Sequence, residues 1–230
     1  QLILKKSYKQ HLHTDSLVDL CFNETNQYIA SCDASKSIYI WSLTDNNKED
    51  PIKTISFENY QLASMRFVTL PQEQQDNNNT SSSLKEYLYV IAHQHAKGNS
   101  YILQYTTSNW SLIQSIKVGP HLITSLECSK KLKYLSLTSN QGDVYIYDTP
   151  MLHRINHVSK CHELPATGTA FSVTETYAIS VSADKSIYFT STQDNSSIFD
   201  HMKSIIYILC HLIFIIFILI KATNLLDDVI

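Results

Sequence analysis

A short pattern recurs along this chain: a polar, turn-forming cluster followed at once by an alternating run of β-branched and aromatic residues. It reads SCDASKSIYIWSL at 31–43, KGNSYILQYT at 97–106, SNQGDVYIYD at 139–148 and SADKSIYFT at 182–190. A strand entered from a tight hairpin has this composition, because the polar residues supply the turn and the branched and aromatic residues fit a pleated, packed surface. Taking Trp41, Tyr105, Tyr147 and Thr190 as one aromatic slot gives spacings of 64, 42 and 43 residues. Repeats of about 40–45 residues are the mark of propeller blades. The long first interval contains PQEQQDNNNTSSSLKE at 71–86, a Gln/Asn/Ser-rich stretch with too little apolar surface to offset the cost of ordering it. Removing about 16–20 residues there as a surface loop restores the period.

Each unit supplies further strands. SLVDLCF (16–22), YQLASMRFV (60–68), LITSLECS (122–129) and ATGTAFSV (166–173) precede the pattern, and DPIKTISF (50–57), WSLIQSIKV (110–118) and MLHRINHV (151–158) follow it. Four strands per unit make a blade with a neighbour on each face, so near-continuous apolar strands are expected. LILKKSYKQ at 2–10 reads as the outer strand of a preceding blade. The expected fold class is all-β, a propeller over 1–197 with about four blades present and N-terminal blades missing upstream of Gln1.

At this point the chain resembles the WD-repeat family, over roughly residues 1–192. That resemblance implies a structural hydrogen-bond network in which a His before the first strand, a Ser on the second, an Asp in the next turn and a Trp on the third are joined. The first copy offers His13, Ser31 and Trp41, with Ser35 in the Asp slot; the last offers His162, Ser180 and Asp184, with Thr190 in place of Trp. WD propellers usually close with about seven blades, more than the four read here.

Residues 204–220, SIIYILCHLIFIIFILI, contain no formal charge and are flanked by Lys203 and Lys221. This run is too long for a propeller strand and reaches the lower limit of a membrane span, about 17–25 residues. A transmembrane helix over 204–221 is expected, extended by snorkelling of the two lysines and followed by a short lumenal tail at 222–230. Charges flanking the span balance, so orientation rests on other features. Unpaired thiols and the short tail favour a cytosolic propeller, which leaves the sequons beginning at Asn23, Asn79, Asn109 and Asn195 unmodified.

Composition narrows the chemistry. Eighteen basic against 21 acidic residues give a net charge of −3, with no cation excess to neutralise a nucleic-acid backbone. Five cysteines (Cys21, Cys32, Cys128, Cys161, Cys210) include no C-x-x-C pair, as expected of free thiols in a reducing compartment. His93 and His95, or His11 and His13, share a strand face by spacing and could approach a metal, yet neither pair has a third ligand at fixed spacing. By register His95 occupies the Ser slot of its blade and His13 the His slot, so each has a structural explanation, and no metal, catalytic or cofactor site is expected. His211 is an ionisable group within the hydrophobic run, either functional or a neutral imidazole bonded to a carbonyl or a partner helix. No nucleophile elbow, P-loop or dinucleotide fingerprint occurs, and only four glycines are present.

The segments 121–148 and 159–189, followed by the hydrophobic run, are similar in order and spacing to the last two blades of the endoplasmic-reticulum exchange factors for the Sar-type small GTPase, the prolactin regulatory element-binding protein family. The resemblance implies a single-pass endoplasmic-reticulum protein that promotes nucleotide exchange and starts COPII vesicle formation, acting by binding rather than by making bonds. That family acts through an N-terminal glycine-rich, lysine-containing loop, which has no counterpart in these residues; KGN at 97–99 is a turn. A membrane-tethered WD scaffold without exchange activity is the alternative, and a metal hydrolase a distant third.

Overall fold

The computed structural model describes residues 12–34, 36–44, 50–71, 84–95, 98–131 and 134–193. The chain divides into units 1–192 and 193–230, and the fold described is that of the first. The opening strand expected at 2–10, the 204–221 span, the 222–230 tail and His211 lie outside the described residues.

Among the described residues fifteen strands fall into four antiparallel sheets. The first comprises β1 (Leu17–Phe22), β2 (Tyr28–Asp33), β3 (Ser37–Ser42) and β4 (Lys53–Ser56). In the second are β5 (Tyr60–Pro71), β6 (Leu84–Gln94), β7 (Ser100–Thr106) and β8 (Leu112–Gly119). β9 (Ile123–Cys128), β10 (Tyr134–Ser139), β11 (Val144–Asp148) and β12 (Arg154–Val158) form the third. The last has three strands, β13 (Ala166–Phe171), β14 (Tyr177–Ser182) and β15 (Ile187–Ser191). Within every sheet the strands pair in chain order, and the first strands β1, β5, β9 and β13 contact one another in sequence. Sheets joined along their first strands in this way are blades radiating from a common axis, as the repeat predicts.

The blades hold together because the middle strands of the interior blades bury both faces. Leu88 through Ala92 on β6 are all fully buried, and alternate residues go to different cores. Leu88, Val90 and Ala92 join Ala30, Ile38 and Ile40 of the first blade, while Tyr89 and Ile91 join Leu126, Leu135 and Leu137 of the third. β11 repeats the device, with Tyr145 and Tyr147 facing the second blade and Val144 and Ile146 facing Ala178 of the fourth. The period of two sends successive side chains to opposite neighbours, which is why these strands read as continuous apolar runs.

The two ends differ. Leu20 and Phe22 on β1 and Ile187 and Phe189 on β15 are more than half exposed. By strand pairing these residues occupy the positions that in interior blades pack on a neighbour.

One expected boundary moves. Composition predicts a loop over the whole polar stretch 71–86, but Pro71 pairs with Leu84, Leu70 with Lys85 and Thr69 with Glu86. The hairpin ladder therefore continues past the polar composition, since backbone pairing needs no apolar side chain; residues 72–83 lie outside the described residues. Several hairpin turns share one geometry. Asn26, Gly142, Glu175 and Lys185 have positive φ, and each N–H donates to the carbonyl three residues earlier. At Gly142 the need for glycine is also steric, because a Cβ would collide with the His162 carbonyl oxygen.

Candidate functional site

Two of the expected histidine networks form, and both fasten a blade internally. In the first blade His13 Nε2 lies 2.9 Å from Ser31 Oγ, and Trp41 Nε1 donates to the same oxygen at 3.1 Å. The carboxylate, however, comes from Asp33 rather than from the turn position of Ser35. His13 Nδ1 is 3.2 Å from Asp33 Oδ2, and Asp33 Oδ1 accepts the N–H groups of Lys36 and Ser37. An Asp at the first position of the turn both caps the turn and reaches the histidine, so the position of Ser35, itself outside the described residues, needs no acid. Burial pushes the Asp33 carboxyl up, but the Lys36 and Ser37 N–H groups and His13 outweigh it and hold it below its ordinary range.

In the fourth blade His162 Nε2 is 2.8 Å from Ser180 Oγ, and its Nδ1 faces the hydroxyl of Ser186. Asp184 accepts from the N–H groups of Ser186 and Glu163 and sits 3.8 Å from His162. Hydrogen bonds from Ser186 hold its carboxyl well below the carboxylate range. Thr190 stands where Trp41 stands in the first blade. Its hydroxyl is buried and has no hydrogen-bond partner among the described residues.

The second blade departs from expectation. Strand pairing aligns Tyr105 with Trp41 and so puts Val90, not His95, in the Ser slot. His95 lies beyond the end of β6 and is exposed, whereas His93 is buried. The two histidines therefore do not share a strand face. Because the Ile123 carbonyl can only accept, His93 Nε2 donates to it at 3.2 Å, while Nδ1 lies 2.7 Å from Ser100 Oγ, whose hydroxyl also faces the His121 carbonyl. Among the described residues no three His, Cys, Asp or Glu side chains gather as a metal site; His11 lies outside them.

A feature that sequence reasoning missed lies between the second and third blades. A cavity of about 240 Å³ is bounded by the end of β8, the loop leading to β9, the β10–β11 turn, β12 and the residues that follow it. At its base is the buried Asp143, whose Oδ2 accepts from Ser139 Oγ at 3.0 Å and Tyr145 OH at 3.1 Å, and whose Oδ1 accepts from the Lys160 N–H at 2.9 Å. Lys160 reaches it from a left-handed backbone with φ 52°. His121 Nε2 stands 3.9 Å from Asp143, and the His157 ring stacks on Tyr145 with centroids 4.3 Å apart and planes at 6°. Burial, then the neighbouring Asp143 charge, pushes the Tyr145 phenol up. Partial burial lowers His157, with Arg154 and His121 adding to it and Asp143 opposing. The one sequence signal was the QGD turn at 141–143, which reads only as a hairpin until the strands are paired.

Comparison with known proteins bears on the first blade. The family model described as WD domain, G-beta repeat matches residues 4–42. The chain carries a WD repeat. This match takes in β1, β2 and β3 with the His13–Ser31–Trp41 network, and the other three sheets repeat that blade, as in a WD-repeat β-propeller. No curated protein matches the chain.

Proposed function

We propose that this chain is a WD-repeat platform that works by holding other proteins, tethered to the endoplasmic-reticulum membrane through 204–221 with its blades in the cytosol. The observation that carries the platform reading is the WD match at 4–42 on the first of four sheets joined along their inner strands. The histidine networks of the first and fourth blades support it, because each is occupied in fastening strands within its blade. The partner we propose is a small GTPase of the Sar type, with COPII vesicle formation as the process served. What favours it is the similarity of 121–148 and 159–189, followed by the hydrophobic run, to the exchange factors of that GTPase.

Exchange itself needs an element that reaches the nucleotide site. No glycine-rich, lysine-containing segment like that family's loop occurs in these 230 residues. These residues therefore supply platform and anchor, and binding is expected without acceleration of nucleotide release. The test is flotation of a Sar-type GTPase, loaded with fluorescent nucleotide, with liposomes carrying the chain. Co-flotation with an unchanged release rate supports the reading. Acceleration would place an exchange surface within these blades, and absence of co-flotation would remove the GTPase as partner.

A further inference from the structure

We infer that the cavity between the outer strands of the second and third blades binds an acidic side chain, carboxylate or phosphoryl, carried by an extended segment of a protein partner. The inference deepens the platform reading and rests on it. Arg154 and Lys160 bring fixed positive charge to the cavity, and among the described residues neither side chain has a carboxylate within ion-pair range. The one carboxylate among the lining residues, Asp143, accepts from Ser139, Tyr145 and the Lys160 N–H and so positions the Lys160 backbone and the Tyr145 ring, and its single negative charge is outnumbered by Arg154 and Lys160. That ring in turn orients His157, and His121 adds a second imidazole donor. An arginine fork with a lysine and two imidazoles suits an anion with several oxygens.

Size and surroundings identify the carrier. The volume of about 240 Å³ lies below the usual range for small-molecule sites, which begins at about 300 Å³, but accommodates one acidic side chain. On either side lie β8 and β12, each the outermost strand of its sheet among the described residues. An extended segment can therefore lie along a strand edge with its backbone paired and its acidic group lowered between Arg154 and Lys160.

The test uses the full chain in detergent and three short fluorescein-labelled peptides of one sequence, with glutamate, phosphoserine or glutamine at the centre. Fluorescence anisotropy is expected to show the glutamate or phosphoserine peptide binding at least roughly tenfold more tightly than the glutamine peptide. A preference for phosphoserine over glutamate assigns a phosphorylated partner, and equal binding assigns a carboxylate. The preference should vanish in Arg154→Gln/Lys160→Asn and persist in Lys53→Gln, a lysine of the first blade. Asparagine is chosen at 160 because it tolerates the left-handed backbone. Should the double variant fail to fold, Arg154→Gln alone must weaken acidic-peptide binding and Arg154→Lys must restore part of it. No preference in the unaltered chain, or a preference that survives in a folded double variant, overturns the site. GTPase flotation on the same samples separates the two ideas, since retained flotation with no acidic preference removes the pocket and leaves the platform.

Discussion

The guanidinium of Arg66 on β5 donates a hydrogen bond of 2.9 Å to the carboxylate of Asp19 on β1, across 47 residues of sequence. The same Asp19 oxygen accepts from Ser64 Oγ and the Met65 N–H, and Arg66 Nε reaches Glu127 on β9 at 3.4 Å. One arginine thus spans three consecutive inner strands. Burial opposes its charge, but Asp19 and Glu127 outweigh that and raise its pKa.

His93 makes stability depend on pH. Burial lowers its pKa from 6.5, only partly offset by the Ile123 carbonyl. An unfolded chain takes up this proton near the ordinary value while the folded chain does not, so the unfolded state binds more protons between the two pKa values. Stability from this residue is therefore present above about pH 6.5 and lost as pH falls below it, by up to about 1.4 kcal/mol per pH unit. Urea unfolding across that window should show a shallower decline for His93→Gln than for the unaltered chain. Parallel profiles would mean that His93 protonates in the folded state.

Thr190 and Ser180 should respond in opposite ways. The buried Thr190 hydroxyl has no partner among the described residues, so Thr190→Val keeps the shape, removes an unsatisfied group and should be neutral or stabilising by about 1 kcal/mol. Ser180→Ala leaves His162 without its 2.8 Å partner and should cost about 1–3 kcal/mol. Thermal midpoints of the two variants check the signs.

The buried thiols should be inert. Burial, then Asp19, raises Cys32 to about 12 and moves Cys21 upward as well. At about pH 8 only roughly one Cys32 in ten thousand is thiolate, against a far larger fraction for an exposed cysteine. Mass spectrometry after iodoacetamide treatment should find both unmodified in the native chain and both modified in denaturant. Labelling at the rate of a free thiol would show that the core between the first two blades is open.

The blades were legible because a blade is local. Each hairpin writes its own signature, as SKSIYIW and SADKSIYF do, and strand pairing within a sheet follows chain order. What lies between blades was not legible in the same way. Arg66 meets Asp19 and Glu127, and Arg154 faces the residues around Asp143, only once the first strands are set side by side. Register within a blade was less legible than its existence. The sequence register puts His95 in the Ser slot, whereas pairing across β6 and β7 puts Val90 there. Asp33 was overlooked in favour of Ser35 because a turn can place its carboxylate at either end and still reach the histidine. Composition also misled at Lys85 and Glu86, which are polar but continue a ladder begun by apolar neighbours.

Consecutive inner strands underlie the platform, and a double-mutant cycle at Arg66 tests them most directly. Asp19→Asn and Arg66→Gln, singly and together, should reveal a coupling of roughly 1 kcal/mol in urea unfolding, since the pair is largely shielded from solvent. The cycle with Glu127→Gln should give about half as much, the contact being longer and more exposed. Coupling indistinguishable from zero in both cycles would contradict the adjacency of β1, β5 and β9, and with it the blade order.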